Sequence, residues 1–278
     1  MTRRTYSISN SDEGELDSDA LTLRCDRLDD ELIDFAIKNS DIKIIGQLSN
    51  SSNGALLGEI STKDDGMFSV VIKPSMYENP LIDFEWGTLA KREVAAYELS
   101  ALLGWNIVPK TVLRDVTDLE CSVQLFIPHN PREHYFTFSK GNTFEMEKFA
   151  VFDYLVNNAD RKAGHIVREM YDSFTLETVN PPAIPTLATG NFFGIDHGLT
   201  FNVEDKLRTV IWEFSEKLIT QSLVEDMNSC FNRIHEILIP YLSLHEVEKT
   251  ISRFEQLMMN PYHRALDASL RAFPWPLV

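Results

Sequence analysis

The stretch Phe149 to Val167, FAVFDYLVNNADRKAGHIV, constrains this chain more than any other. A helix expected over Thr143 to Asn157 places Phe149, Phe152 and Val156 on one stripe with Leu155 beside it, which only a buried position satisfies. It runs into the polar loop Asn157-Asn158-Ala159-Asp160-Arg161-Lys162-Ala163-Gly164-His165, and Ile166 and Val167 then start a strand. An acid on a loop at the end of a rigid element, with a metal ligand five residues on, is how phosphotransferases hold the carboxylate that receives the acceptor's proton. Phe193-Gly194-Ile195-Asp196-His197-Gly198 adds a strand, a second acid and a glycine that permits a sharp turn. Strands near His165 to Arg168 and Asn191 to Ile195 are expected to pair, bringing Asp160 and Asp196 to one end. The intervening segment, with Asn180-Pro181-Pro182-Ala183-Ile184-Pro185, reads as a surface loop.

Upstream, the pattern is of strands. Ile42 to Leu48 and Ala55 to Ile60 flank Ser49-Asn50-Ser51-Ser52-Asn53-Gly54. That is the plan of a phosphate-covering hairpin with Ser51, Ser52 and Asn53 at the nucleotide, or else an ordinary polar turn. Phe68 to Pro74 is an apolar strand ending in Lys73, suited to a solvated edge charge or to nucleotide phosphates. Thr88 can cap a helix that runs to Leu103 and stops at Gly104. On it Glu93 shares a stripe with Ala96, Tyr97 and Ser100; a carboxylate there either stays solvated or takes Lys73 as its partner. Lys110 to Arg114 and the apolar Cys121 to Ile127 follow, the latter ending in Phe126 and Ile127, whose backbone enters a linker able to read an adenine edge. The connector His129 to Gly141 separates a β-rich N-lobe over 21–130, covering nucleotide, from an α-rich C-lobe over 131–278, catalytic and metal-binding. Leu28 to Ala36 is a short helix, whereas 1–20, polar and with Ile8 and Leu16 as its only large aliphatics, is expected to stay disordered. From Ile219 to Pro240 and Val247 to Met259 the spacing is helical, and the tail at Ala272-Phe273-Pro274-Trp275-Pro276 packs on the lobe.

The formal charge of -16 disfavours a duplex or an anionic membrane as partner. The densest basic pieces, Lys91-Arg92, Arg161-Lys162 and Lys206 to Arg208, are too small for a polybasic membrane signal, so the acceptor is expected to be soluble, a protein or a small molecule. No apolar run approaches the ~20 residues of a spanning helix, the start lacks an apolar leader, and Cys25, Cys121 and Cys230 lack metal-ligand spacing, which together suit a reducing cytoplasm. His165 and His197 lack the short spacing of a zinc pair. Asp160 and Arg161 form either a functional pair or a buried structural ion pair. Lys206 and Arg208 form either a solvated face or a site of anion capture.

Lys73-Pro74, Trp86-Gly87-Thr88-Leu89-Ala90, Arg92 to Tyr97, Asn157 to His165, Gly194 to Gly198 and Lys206 to Trp212 together resemble an actinobacterial family of phosphatidylinositol 3- and 4-kinase-like proteins, in order over most of residues 42 to 215. The resemblance implies an α+β, two-lobed protein-kinase-like (PI3/4-kinase-like) fold. It also implies an ATP- and divalent-metal-dependent phosphotransferase, with Lys73 on ATP phosphates, Glu93 paired to it, Asp160 catalytic and Asp196 on magnesium. Two departures stand out: His165 occupies the place usual for asparagine, and Ile195-Asp196-His197-Gly198 replaces the acid-Phe-Gly or acid-Asn-Gly turn. His165 is expected either to ligate metal, favouring Mn2+ over Mg2+, or to contact a phosphate or Asp160 as a proton carrier. Alternatives on the same fold are a nucleotide-binding pseudokinase that scaffolds a partner and an enzyme that transfers AMP.

Overall fold

The computed structural model describes residues 2–10, 21–48, 54–63, 66–138, 141–170, 190–267 and 271–278. The chain divides into two compact units, one of 1–80, 109–129 and 169–191, the other of 81–108, 130–168 and 192–278. This differs from a single break near 130, because the segment with the Glu93 helix joins the second unit.

The first unit opens with β1 (Thr2–Asn10) and β2 (Leu21–Asp29), an antiparallel pair in unbroken register from Thr2 with Asp29 to Asn10 with Leu21. Within the stretch 1–20 expected to be disordered, Thr2–Asn10 forms this strand: its Thr, Tyr and Ile favour extended backbone, and pairing with β2 takes up part of its amides. α1 (Asp30–Asn39) starts where the Asp29 side chain accepts from the Glu31 amide, and buries Ile33, Ala36 and Ile37. Five strands follow: β3 (Lys43–Gln47), β4 (Leu56–Ser61), β5 (Met67–Pro74), β6 (Thr111–Val116) and β7 (Leu119–Leu125), paired antiparallel in the order β3-β4-β5-β7-β6. The side chains of Phe68, Val70 and Ile72 alternate into a core shared with Ile33, Ile37, Ile60, Val112 and Val123. Lys73, next after Ile72 and opposite Ser122, is therefore half-buried on the other face of β5. The Ser51-Ser52-Asn53 turn and the Asn180–Pro185 stretch lie outside the described residues.

The second unit contains α2 (Leu89–Leu102), α3 (Thr143–Leu155), β8 (Ile166–Arg168), β9 (Phe192–Gly194), α4 (Gln221–Cys230), α5 (Ile234–Leu238) and α6 (Leu244–Met259). Thr88 precedes α2 without making the expected cap: its hydroxyl donates to the Glu85 carbonyl instead. At the other end Gly104 takes φ +71°, the left-handed turn that glycine supplies without steric cost. The core gathers Leu99, Phe149, Phe152, Leu155, Phe201, Leu223, Met227, Ile234 and Phe254 around α3. α3 is buried nearly all round, so even Glu147 must be paired; it accepts from the amide and hydroxyl of Thr220 and meets His263 Nε2 at 3.2 Å. β8 and β9 pair antiparallel, Ile166 opposite Gly194.

Phe152 has no solvent exposure, whereas Phe144, the second residue of α3, is 39% exposed. Phe152→Ala is expected to cost roughly 3–5 kcal/mol of unfolding free energy and Phe144→Ala about 0.5 kcal/mol or less, as read from urea denaturation.

Candidate functional site

Position 153 is an acid inside the apolar run Phe149 to Val156, and the site is built outward from it. Asp153 and Arg161 both have fully buried side chains. The Asp153 carboxylate accepts from Arg161 Nε at 3.0 and 3.2 Å and lies 2.9 Å from Nη2, and it also accepts from Asn158 Nδ2 and Thr209 Oγ1. Arg161 Nη1 donates to the carbonyls of His165 and Ile195, and Nη2 to His197 Nε2 at 2.7 Å. Because a guanidinium can only donate, that His197 nitrogen bears a lone pair. One planar fork thus joins α3, the loop carrying Asp160 and His165, and the loop carrying Asp196. The buried ion pair weighed for Arg161 exists, with a different partner: Asp153 takes Arg161, and Asp160 pairs with Lys162 Nζ at 2.9 Å.

Asp160 stands where two segments are zipped together. Ala159 N–H donates to the Leu199 carbonyl, Arg208 N–H to Asn158, Arg161 N–H to Arg208, and Val210 N–H to Arg161. The Asn158 side chain accepts from the Asp160 amide, fixing the turn on which the acid is presented. Burial pushes the Asp160 carboxyl above the ordinary carboxylate range; neighbouring Asp196 adds to this, while Lys162 and Arg208 oppose it. A carboxylate held in that way is a better proton acceptor than a solvated one.

His165 and Asp196 are brought together, with Nε2 and Oδ2 3.4 Å apart; the Asp196 side chain is 49% exposed and His165 nearly buried. Two ligands at about 2.1 Å from one ion sit about 3 Å apart, so this separation fits a shared divalent cation. Among the described residues no group of three or more His, Cys, Asp or Glu side chains could hold an ion unaided. The donor pair therefore fits an ion whose shell is completed by water and phosphate oxygens, as hard cations in nucleotide sites are. The turn at Asp196 is not made by glycine as its sequence suggested: Asp196 itself takes φ +59°, and so does Asn157 at +49°. Aspartate and asparagine tolerate this region better than most residues, at a local cost that tertiary contacts must cover. Gly198 matters for proximity instead, since a Cβ there would lie 3.3 Å from Leu89 Cβ.

The remaining candidates are placed as follows. Glu93 is buried on α2 and its Oε2 accepts from the His197 amide at 3.0 Å. Lys73, Phe126 and Ile127 lie in the first unit. There the Phe126 amide donates to the Ser69 carbonyl and His129 Nδ1 to the Ile127 carbonyl. Lys206 is no solvated charge: its ammonium meets Asp83 at 2.8 Å and Glu204 at 3.0 Å, and its amide donates to Asn157 Oδ1. The tail packs on the loop itself, since Ala163 N–H donates to the Leu277 carbonyl, and Thr209 N–H and Trp212 Nε1–H donate to that of Ala272. Sequence reasoning passed over Asp153, Asn158, Lys162 and Thr209. An acid amid FAVF and YLV was the available signal, because burial of such a group demands a partner.

Two acids seven residues apart are expected to behave oppositely. Asp153→Ala strands a buried guanidinium and should cost roughly 3–5 kcal/mol. Asp160→Ala, whose partner Lys162 can turn to solvent, should change stability by less than about 1 kcal/mol. Equilibrium unfolding in urea checks both.

No family model matches the chain. Its fold is similar to that of the Golgi casein kinase, both in the crystal structure with Mn/ADP bound (TM-score 0.52) and in a second structure (TM-score 0.50). Each is 17% identical and covers 83% of this chain and 75% of the other. The likeness shows a kinase-like fold, with an antiparallel sheet in one unit and helices dominating the other. In sequence the chain is 30% identical over 296 residues to protein Rv2133c of Mycobacterium tuberculosis, across 92% of this chain and 97% of that protein. The chain accordingly belongs to the family of Rv2133c, built on a kinase-like fold.

Proposed function

We propose that this protein is an ATP- and divalent-metal-dependent phosphotransferase, an atypical kinase acting on a soluble hydroxyl acceptor, protein or small molecule, in the cytoplasm. One observation carries the reading: a half-exposed Asp196 facing His165 at 3.4 Å, close to an Asp160 whose carboxyl burial has raised. The Golgi casein kinase structure, solved with Mn/ADP, supports it through the shared fold. Asp160 is assigned as the base that accepts the acceptor hydroxyl's proton. Lys162, hydrogen-bonded to it, is the nearest cation to the charge that develops there. His165 and Asp196 are the residues to hold Mg2+ or Mn2+. When bound there, such a cation neutralises phosphate charge.

Lys73 is assigned to the nucleotide phosphates, and the Ser51-Ser52-Asn53 turn to covering them. In the linker, the Phe126 amide and Ile127 carbonyl are already bonded within the first unit, and the Phe126 carbonyl and Ile127 amide, with no such bond among the described residues, are assigned to the adenine edge. The likeness to phosphatidylinositol 3- and 4-kinases is carried by motif alone. The strongly acidic composition favours an acceptor off the membrane.

Nucleotide with Mn2+ or Mg2+ at about 100 times its dissociation constant should stabilise the protein by about 2.7 kcal/mol, or about 5 °C in Tm. The absence of any shift with every nucleotide and metal pair sinks the proposal. Asp160→Asn should keep that shift while cutting ATP turnover roughly 10²- to 10⁴-fold. His165→Asn should move the activity preference from Mn2+ toward Mg2+. A His165→Asn protein inactive with both metals, yet still binding nucleotide, assigns His165 to proton transfer instead.

A further inference from the structure

Arg92 is a buried guanidinium on α2 that none of the roles above uses. Its Nη1 donates to the Thr200 carbonyl at 2.6 Å, Nη2 to Glu246 Oε1, and Nε to Thr88 Oγ1 at 3.3 Å, while its guanidinium carbon lies 5.0 Å from the centre of the Phe84 ring. Glu246 is itself fixed, for it is the third residue of α6 and accepts from the Ser243 amide and hydroxyl in a capping box. Burial works against its charge, yet Arg92 and Ser243 hold its carboxyl below the ordinary range.

The neighbouring residue on the same helix acts on the same loop. Glu93 takes the His197 amide, Arg92 takes the Thr200 carbonyl, and between them Thr200 Oγ1 donates to the His197 carbonyl at 2.6 Å. Two consecutive side chains of α2 thus grip 197–200 at both ends, and in the middle Leu89 lies beside Gly198, close to where a Cβ would stand. Immediately before the gripped segment stands Asp196 in its left-handed conformation. A non-glycine residue persists there only when its surroundings over-determine it.

We propose that Arg92 is a positioning residue for the metal site: anchored by Glu246 on α6, it holds the Thr200 carbonyl and, together with Glu93 on the His197 amide, keeps Asp196 turned toward His165. The proposal rests on the assignment of Asp196 and His165 to the metal. It makes the α2 contacts part of the same outer shell that orients metal ligands in other sites.

Arg92→Lys tests it, because lysine keeps the charge opposite Glu246 and loses the fork that also reaches Thr200. In the ligand-free protein, hydrogen exchange at the His197 amide should speed up by at least about tenfold. With ADP present, Mn2+ affinity measured by electron paramagnetic resonance should fall roughly 10- to 100-fold, while ADP binding in EDTA is unchanged. Glu246→Gln, which keeps an acceptor oxygen at Arg92, should fold normally and give a smaller loss in the same direction. If both variants lose thermal stability but retain Mn2+ affinity and His197 protection, Arg92 merely clasps α2 to α6 and the proposal is overturned. If the unmodified protein with ADP takes up no Mn2+, the metal assignment fails separately; a His197 amide that still loosens in Arg92→Lys then leaves Arg92 as a determinant of the loop alone.

Discussion

A guanidinium with no access to water holds this site together. Arg161 directs its donors to Asp153, to two carbonyls from different loops and to a histidine nitrogen, so that each of its three nitrogens has an acceptor. Such a pair adds little net stability over apolar residues of the same shape, but loss of one member leaves the other buried and uncompensated. What it provides is a fixed relation between the end of α3 and the loops bearing Asp160, His165 and Asp196. Arginine is suited to the position because lysine lacks the planar fork that satisfies several acceptors at once.

Around that hub, charges of one sign are kept at close range. Burial and the nearby Asp196 both disfavour the ionised form of Asp160, and in a chain of net charge -16 nothing in the bulk composition relieves this. Relief is local. Lys162 binds Asp160 directly and Arg208 lies within electrostatic reach of it, pinned by backbone bonds to Asn158 and Arg161. Lys206, by contrast, is consumed by Asp83 and Glu204, so two cations of one segment, Lys206 and Arg208, play different parts.

The backbone carries the rest of the specification. Asn157 and Asp196 both sit at positive φ, one leading into the Asp160 loop and the other within the facing loop. Asn157 is secured by its side chain, which donates to the carbonyls of Asn202 and Glu204 and accepts from the Lys206 amide. Asp196 has its left-handed turn bracketed by the Arg161 bond to Ile195 and the Glu93 bond to His197. Unfavourable conformations are thus placed where buried, directional hydrogen bonds can hold them.

Much of this was already present in the sequence, because it is local. Helical spacing located α3 and the helices after Ile219, short apolar runs located β5 and β7, and the run from an apolar helix into Asn157 to His165 singled out Asp160 and its pairing with the Asp196 segment through β8 and β9. Tertiary structure alone decided which charges meet. The ion pair of Arg161 with Asp153 joins residues eight apart, while adjacent Asp160 turned to Lys162, because Asp153 is buried on α3 and cannot reach water. The same reason explains the left-handed residue: glycine at 198 looked like the turn, but Leu89 packing required its missing side chain and the turn fell to Asp196. It also explains why α2 groups with the helical unit, since Arg92 and Glu93 find their partners there, at Thr200, Glu246 and His197, more than 100 residues along the chain. Periodicity reports which face of an element is buried; the partner of a buried charge depends on which elements that burial brings together.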